Sequence, residues 1–529
     1  MKQKKDKLVL SKKGIERAAG IVGSFTFLSR ILGLIRDIVI AKVFGSGILT
    51  DAFFVAFRIP NLLRRLFGEG SLTVAFIPVF SECLARDKED ALRLANGFLT
   101  IISFLLAIIA IAGIFCAPWI VRIQAYGFGS TSYEYKLTVL LTRITFPYVF
   151  FICLVAFFMG VLNSFKHFSA PAAAPIFLNI SIIGCALFLC PHLKVPIVGL
   201  AIGVLIGGFL QLALQIPWAV RYGIKIIPSL EHINHPAIKK IGTLMIPAIF
   251  GSAVYQLNQF IGTLLASFLE RGSISWLYYA DRLVQFPLGV FAISISTAAL
   301  PSLSDHIANK EKEQFIETLK RALSLTFFIS IPATVGLILL GEPIIMILFE
   351  RGAFTHLDTI QTTYALVFYS LGLWAFSGVR VLVSAFYAMQ DTKTPVKIAT
   401  LALIANLIFG LILMHPLKHG GLALSLSIAS SIQFFLLLLI LSRTIGGKIL
   451  APLIRDITIS CLCSLIMGVG INFFYSYIYI SSKMSFFVKA IRLLILILIG
   501  MFTYIGCIGI VTKALSFQLI RPDEDKKGR

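Results

Sequence analysis

Long apolar blocks separated by short polar stretches dominate the pattern of this chain. The blocks run to roughly 18 to 28 residues, which is long enough for a helix to cross a hydrocarbon core of about 30 Å. The pattern therefore predicts an all-α polytopic membrane protein with about fourteen transmembrane helices. The predicted spans are 20–44, 50–80, 94–118, 137–162, 171–191, 197–220, 239–267, 274–301, 320–346, 361–389, 395–414, 420–442, 452–478 and 484–512.

The composition excludes a soluble domain. Of the 529 residues, 58% are hydrophobic and only 14% are charged, whereas a soluble domain carries about 25% charged residues. A soluble core of this length has no room for so much apolar surface.

The net charge of +22 is distributed as an orientation signal. With Met1 in the cytoplasm, the predicted cytoplasmic segments hold about 29 Lys and Arg and the outer ones about 8, as the positive-inside rule requires. We therefore expect both termini in the cytoplasm and no nucleic-acid partner. The basic start of the chain is a candidate contact for anionic membrane lipid.

An internal repeat divides the chain. Gly70–Glu82 (GSLTVAFIPVFSE) aligns without a gap with Ile293–Asp305 (ISISTAALPSLSD), and Pro78 pairs with Pro301. Each copy closes a predicted span and opens a charged cytoplasmic loop. Repeats on the same membrane side are typical of secondary transporters built from two parallel halves.

A weaker echo relates the basic loops before Pro171 and Pro395. We therefore predict two pseudo-symmetric six-helix lobes, residues 1–222 and 223–445. Residues 446–529 then hold two extra C-terminal helices and a basic cytoplasmic tail. The two extra helices are interpreted either as lipid-facing or as lining a groove for a long apolar ligand.

Ionisable residues are concentrated in the first two spans, where each costs about 2.5 to 3.5 kcal/mol near the bilayer centre. They are Arg30, Arg36, Asp37, Asp51, Arg58, Arg64, Arg65 and Glu69. Three of them, Asp51, Arg58 and Arg65, recur at intervals of seven residues and so share one helix face. Pro60 and the two glycines beside Glu69 interrupt the second span, and transporter sites tend to form at broken helices.

One helix of the second half carries a matching polar face. Tyr278, Arg282 and Gln285 follow helical spacing, and Asp281 flanks the arginine. Because guanidinium groups bind phosphate oxygens in pairs, we predict a cationic cavity for a polyanion. Its predicted substrate-binding residues are Arg30, Arg36, Arg64, Arg65 and Arg282, and its predicted lining or structural charges are Asp37, Asp51, Arg58, Glu69, Asp281 and Gln285.

Purely structural roles are the alternative for several of these residues. Asp37 is expected to neutralise a neighbouring arginine rather than to contact substrate. Asp51 follows Thr50 in a pattern that also fits a helix cap. Arg64 and Arg65 would snorkel to the interface if their span ended early.

Catalytic motifs do not occur in the sequence. The eight histidines form no His-Glu-x-x-His pattern, and there is no Walker loop for ATP. We expect a transporter and not an enzyme, with no cofactor and no metal.

Four segments resemble the MurJ (MviN) family of lipid II flippases. They are Ser29–Asp37 (SRILGLIRD), Thr50–Arg65 (TDAFFVAFRIPNLLRR) with Glu69 and Gly70 shortly after it, Ser275–Leu283 (SWLYYADRL) and Gln390–Pro395 (QDTKTP). The resemblance implies the fold of the multidrug/oligosaccharidyl-lipid/polysaccharide exporter superfamily. It also implies flipping of lipid II, the undecaprenyl-pyrophosphate-linked peptidoglycan precursor, from the cytoplasmic to the periplasmic leaflet of the bacterial inner membrane. The family's essential charged positions correspond to Arg30, Arg36, Asp51, Arg64, Arg65 and Arg282.

The driving force and the exact substrate stay open at this point. Some members of the family are thought to use a sodium site in the second lobe, where this sequence has no convincing carboxylate cluster. The driving force therefore stays open between an ion gradient and the membrane potential. Lipid II is the expected ligand, and cell-wall synthesis proteins are the candidate protein partners. The alternatives are an exporter of another polyprenyl-linked glycan or of drugs with the same fold, a membrane-embedded enzyme, and a scaffold.

Overall fold

The computed structural model describes residues 12–66, 72–225, 230–446, 450–481 and 484–520. These ranges are helical apart from short turns and contain no strand, which confirms the predicted all-α fold. The predicted cavity residue Glu69 lies outside the described residues.

The first compact unit comprises Met1–Ser275 and Arg351–Phe354. The order of its helices is α1 Lys12–Phe44, α2 Ile48–Leu63, α3 Thr73–Arg86, α4 Lys88–Gln124, α5 Tyr133–Thr145, α6 Tyr148–Ser164, α7 Ser169–Gly184, α8 Val198–Arg221 and α9 Pro236–Ala266. Helix α1 packs on α7, α7 packs on α8, and α2 packs on α5.

The second unit comprises Trp276–Glu350 and Thr355–Arg529. Its helices are α10 Ser273–Pro287 (which begins in the first unit), α11 Ile293–Ala308, α12 Lys312–Leu348, α13 His356–Ser370, α14 Leu373–Ala388, α15 Lys393–Ile445, α16 Leu450–Tyr477 and α17 Phe486–Ile520. Helices α16 and α17 pack on each other and on α12. The predicted lobe boundaries after residues 222 and 445 stay predictions.

Nine helices within the described residues are long and apolar enough to cross a membrane, and α13 with α14, bent by 43°, would make a tenth span. One of the nine, α15, holds two of the predicted spans, because Lys418 has a non-helical φ of 49° just after Pro416. The chain is therefore a multi-pass membrane protein. The total of fourteen spans is consistent with these helices and stays a prediction.

Corresponding elements in the two units follow the sequence repeat. Pro78 lies inside α3 and Pro301 lies inside α11, and the helices that follow, α4 and α12, have 37 residues each. The weaker echo also has a structural basis. Lys166 and Gln390 end α6 and α14 in the left-handed conformation, with φ of 63° and 59°.

Close packing of α7 on α8 depends on glycines at every fourth position of α8. A Cβ added to Gly203 would lie 3.1 Å from the Cα of Ile182, and one added to Gly207 would lie 2.9 Å from the Cα of Leu178. Small residues at this spacing let helix backbones approach closely inside a membrane.

We expect Gly203→Leu to lower the free energy of unfolding by about 1 to 3 kcal/mol, because overpacking forces the two helices apart. Denaturation of the purified full-length protein in detergent measures the effect. Gly184→Leu is the matched control, since a Cβ at Gly184 meets nothing within 4 Å. Equal losses in both variants would contradict the packing argument.

Candidate substrate site

The first group of predicted site residues lies buried on α1. Arg36 is 7% exposed and Asp37 is 1% exposed. The Arg36 Nη2 atom donates to Asp37 Oδ1 at 2.7 Å, and its Nε donates to the same oxygen at 3.0 Å. This geometry agrees with the interpretation that Asp37 neutralises a neighbouring arginine.

Asn179 on α7 completes this group and was not recognised from the sequence. Its Oδ1 accepts a hydrogen bond of 3.1 Å from Arg36 Nη1, and its Nδ2 donates at 3.1 Å to the carbonyl oxygen of Ser29. The side chain is 5% exposed. The Asn179 amide therefore links the Arg36 guanidinium to the Ser29 carbonyl oxygen, two turns earlier on α1. The available sequence signal was a single asparagine inside an otherwise apolar span.

Asp51 on α2 caps a helix that is distant in sequence. Its carboxylate accepts from the backbone N–H of Gly272 at 2.6 Å, from the backbone N–H of Ser275 at 2.9 Å and from the Ser275 hydroxyl at 2.5 Å. These donors surround the N-terminus of α10, where a negative charge is favoured. The cap is thus at α10, whereas α2 itself begins after Gly47 and has no side-chain cap.

Arg58, one helical repeat further along α2, also contacts the segment before α10. Its Nη1 donates to the carbonyl oxygen of Gln259 at 2.6 Å and to the hydroxyl of Thr263. Both acceptors lie on α9. Arg58 thereby links α2 to α9, and this bonding indicates a structural role.

The other predicted site arginines of the first unit, Arg30, Arg64 and Arg65, are more accessible than Arg36. Arg64 Nε donates to Asn61 Oδ1 at 3.0 Å, one turn earlier. Arg30 is exposed and Arg65 is half-buried, and neither makes a hydrogen bond or ion pair with any residue that the structure describes. Arg64 and Arg65 lie in a π-helical turn at the end of α2, of a kind frequent at functional sites.

In the second unit, Arg282 is exposed on α10 and is oriented by a tyrosine. Its Nη2 donates to the Tyr278 hydroxyl at 2.9 Å, and its guanidinium carbon lies 5.2 Å from the centre of that ring. Asp281 accepts at 3.3 Å from Gln285 Nε2. A π-helical turn, Leu288–Ala292, follows directly after α10.

Metal ligands are not clustered in the described part of the chain, where no group of three or more His, Cys, Asp or Glu could hold an ion. Among the predicted site residues that the structure describes, the exposed charged groups are guanidinium groups. Such groups stay charged and bind carboxylate or phosphate oxygens in pairs.

Solved transporter structures share the fold. An inward-facing multidrug-resistance MATE family transporter of the MOP superfamily superposes with a TM-score of 0.67 at 16% identity, over 81% of this chain and 98% of that one. At this identity the likeness shows the fold alone. This chain therefore shares its fold with that transporter.

Matches of higher sequence identity identify the family of this chain. The model of the lipid II flippase MurJ family matches residues 40–505. A solved structure of lipid II flippase MurJ in an inward closed conformation has a TM-score of 0.80 at 32% identity, covering 93% of this chain and 99% of that one. The chain belongs to the lipid II flippase MurJ family.

Two relatives illustrate the similarity. The probable lipid II flippase MurJ of Vibrio cholerae serotype O1 is 40% identical over 427 residues, which are 79% of this chain and 81% of the relative. The lipid II flippase MurJ of Burkholderia cenocepacia is 38% identical over 429 residues, 80% and 83% of the two chains. Family membership confirms the resemblance and the prediction of a transporter rather than an enzyme.

Proposed function

We propose that this protein flips lipid II from the cytoplasmic to the periplasmic leaflet of the bacterial inner membrane, with both termini in the cytoplasm. The match of the lipid II flippase MurJ family over residues 40–505 carries this proposal. Lipid II joins a sugar–peptide headgroup to an undecaprenyl chain through a pyrophosphate. Its transfer requires a polar, anionic group to cross an apolar core.

The arginines supply the complementary chemistry for the pyrophosphate. The guanidinium groups of Arg30 and Arg65 donate to no residue that the structure describes. The guanidinium of Arg282 is exposed and is oriented by its hydrogen bond to the Tyr278 hydroxyl. Bidentate hydrogen bonds from such groups replace the water that phosphate oxygens lose on leaving the aqueous phase. Arg36 is proposed to join them, with Asp37 and Asn179 setting its orientation.

Alternating access is the proposed mechanism. The arginines bind the headgroup from the cytoplasmic side while the polyprenyl chain stays in lipid, and a conformational change then opens the site to the periplasm. No cofactor takes part in this scheme. The membrane potential or an ion gradient is the proposed driving force.

Depletion of the protein in cells, followed by scoring of externally accessible lipid II, tests the proposed function. We expect accessible lipid II to fall and the wild-type gene to restore it. An unchanged amount, in cells shown to lack a second flippase, would contradict the proposal. An exporter of another polyprenyl-linked glycan would then be the better description.

We expect Asn179→Leu to reduce the restoration of accessible lipid II about tenfold. The Arg36 guanidinium loses its amide acceptor, and the hydrogen bond from the amide to the Ser29 carbonyl oxygen is lost as well. The measurement is externally accessible lipid II in depleted cells that carry the variant. Asn179→Asp keeps an oxygen acceptor for Arg36 and should restore part of the activity. Full activity of Asn179→Leu would show that Arg36 needs no positioning by the amide.

A further inference from the structure

A groove of about 450 Å³ lies in the first unit, between the C-terminal ends of α4 and α9. Its walls are apolar except for one arginine. The lining includes Trp119, Arg122, Ile123, Tyr126, Leu264 and Phe268. None of these residues belongs to the proposed lipid II site.

Specific contacts hold the two helix ends together beside the groove. The backbone N–H of Gly127 donates to the Ser267 hydroxyl at 3.1 Å. A Cβ at Gly127 would collide with the backbone of Ser267, so only glycine permits this approach. The rings of Tyr126 and Phe268 lie 6.2 Å apart. The groove is therefore a formed feature of the fold.

The groove is expected at the outer surface of the membrane. Under the positive-inside orientation, the C-terminal ends of α4 and α9 face the periplasm. Trp119 is 67% exposed and Tyr126 is 59% exposed, as expected for aromatic residues at a membrane–water interface. Lipid, rather than water, is then the solvent of the apolar walls.

Arg122 gives the groove a charge preference. It is exposed and makes no hydrogen bond or ion pair within the described ranges. The outer segments hold only about 8 Lys and Arg, because the positive-inside rule disfavours cations there. An arginine at this position, on the edge of an apolar groove, is complementary to a lipid phosphate.

We infer that this groove binds an anionic phospholipid of the outer leaflet. One acyl chain lies along Ile123, Leu264 and Phe268, and the phosphate group contacts Arg122. A phospholipid seated there bridges the ends of α4 and α9 and favours the arrangement in which Gly127 contacts Ser267. This inference does not depend on the substrate that the protein transports.

Trp119 is a built-in probe of the groove, since the chain has only four tryptophans. The full-length protein is reconstituted in vesicles that contain brominated phosphatidylglycerol or brominated phosphatidylcholine, and the quenching of Trp119 is taken as the difference between wild type and Trp119→Phe. We expect half-maximal quenching at an about fivefold lower mole fraction of the anionic lipid, the factor that one basic residue contributes near a membrane surface.

Arg122→Gln should remove this fivefold preference, whereas Lys136→Gln should keep it, because Lys136 is an exposed cation on the same predicted side outside the groove. Leu264→Phe should reduce quenching by both lipids, because it fills the groove. Equal quenching by the two lipids in the wild type would overturn the inference, as would a preference that survives Arg122→Gln. Displacement of the anionic lipid by undecaprenyl phosphate at an equal mole fraction would also overturn it and assign the groove to a polyprenyl chain.

Discussion

Arg282→Ala should abolish the restoration of externally accessible lipid II in depleted cells while leaving the amount of inserted protein unchanged. The side chain is exposed and donates a hydrogen bond to the Tyr278 hydroxyl on its own helix. Because an exposed side chain contributes little to helix packing, we expect its removal to leave the packing of α10 intact. A pyrophosphate would lose a bidentate, charge-assisted contact, which weakens binding about tenfold for each hydrogen bond lost.

Three variants separate charge, geometry and general damage at this position. Arg282→Lys keeps the charge without the planar fork and should restore only part of the transport. Tyr278→Phe removes the hydroxyl that orients the guanidinium and should give an intermediate loss. Arg380→Ala, which removes another exposed arginine of the second unit on α14, should behave as wild type. Normal transport by Arg282→Ala would exclude this residue from the site.

Much of the helical architecture was predictable because a membrane forces each spanning segment to satisfy its own backbone hydrogen bonds. Apolar blocks of this length therefore predict membrane-spanning helices. Even the break between the spans 395–414 and 420–442 was visible from its polar residues, and the structure has its kink there, at Lys418. The π-helical turns after Leu63 and Pro287 were not predictable, since no residue type demands them.

The helix face shared by Asp51, Arg58 and Arg65 was predictable, but the partners were not. Asp51 and Arg58 both bond to the segment 259–275, as residues on one face would. That segment is about two hundred residues away in sequence, and only tertiary packing brings it to α2. Periodicity assigned residues to a face, whereas the structure distinguishes those that bond to protein from those that remain accessible.

The pairing on α1 shows a second limit of helical periodicity. The helix angle separates Arg36 from Asp37 by about 100°, whereas Arg30, seven residues before Asp37, lies on the same helix face as Asp37. The arginine side chain is long enough to fold back on its neighbour, so that Nε and Nη2 share one carboxylate oxygen. Asn179 lies 143 positions further along the chain, so local patterns do not predict its contact with Arg36.

Asp51→Ala should lower the free energy of unfolding by about 3 kcal/mol or more. The substitution leaves three donors at the start of α10 without their acceptor, namely the N–H groups of Gly272 and Ser275 and the Ser275 hydroxyl. Buried donors stripped of a charged acceptor cost about 1.5 to 3 kcal/mol each, and the helix N-terminus also loses a favourable negative charge. Denaturation of the purified full-length protein measures the loss.

Two further variants decide between a cap and a role in substrate binding for Asp51. Ser275→Ala removes one of the three donors and keeps the carboxylate, so it should cost much less than Asp51→Ala. Asp51→Asn keeps one oxygen acceptor and should fall between them, because a neutral acceptor bonds less strongly than a carboxylate. If Asp51→Ala unfolds like the wild type but fails to restore lipid II transport, the carboxylate acts on substrate and the cap is incidental. If stability and transport fall together in the order Ser275→Ala, Asp51→Asn, Asp51→Ala, the cap orients α10 and, through it, the guanidinium of Arg282.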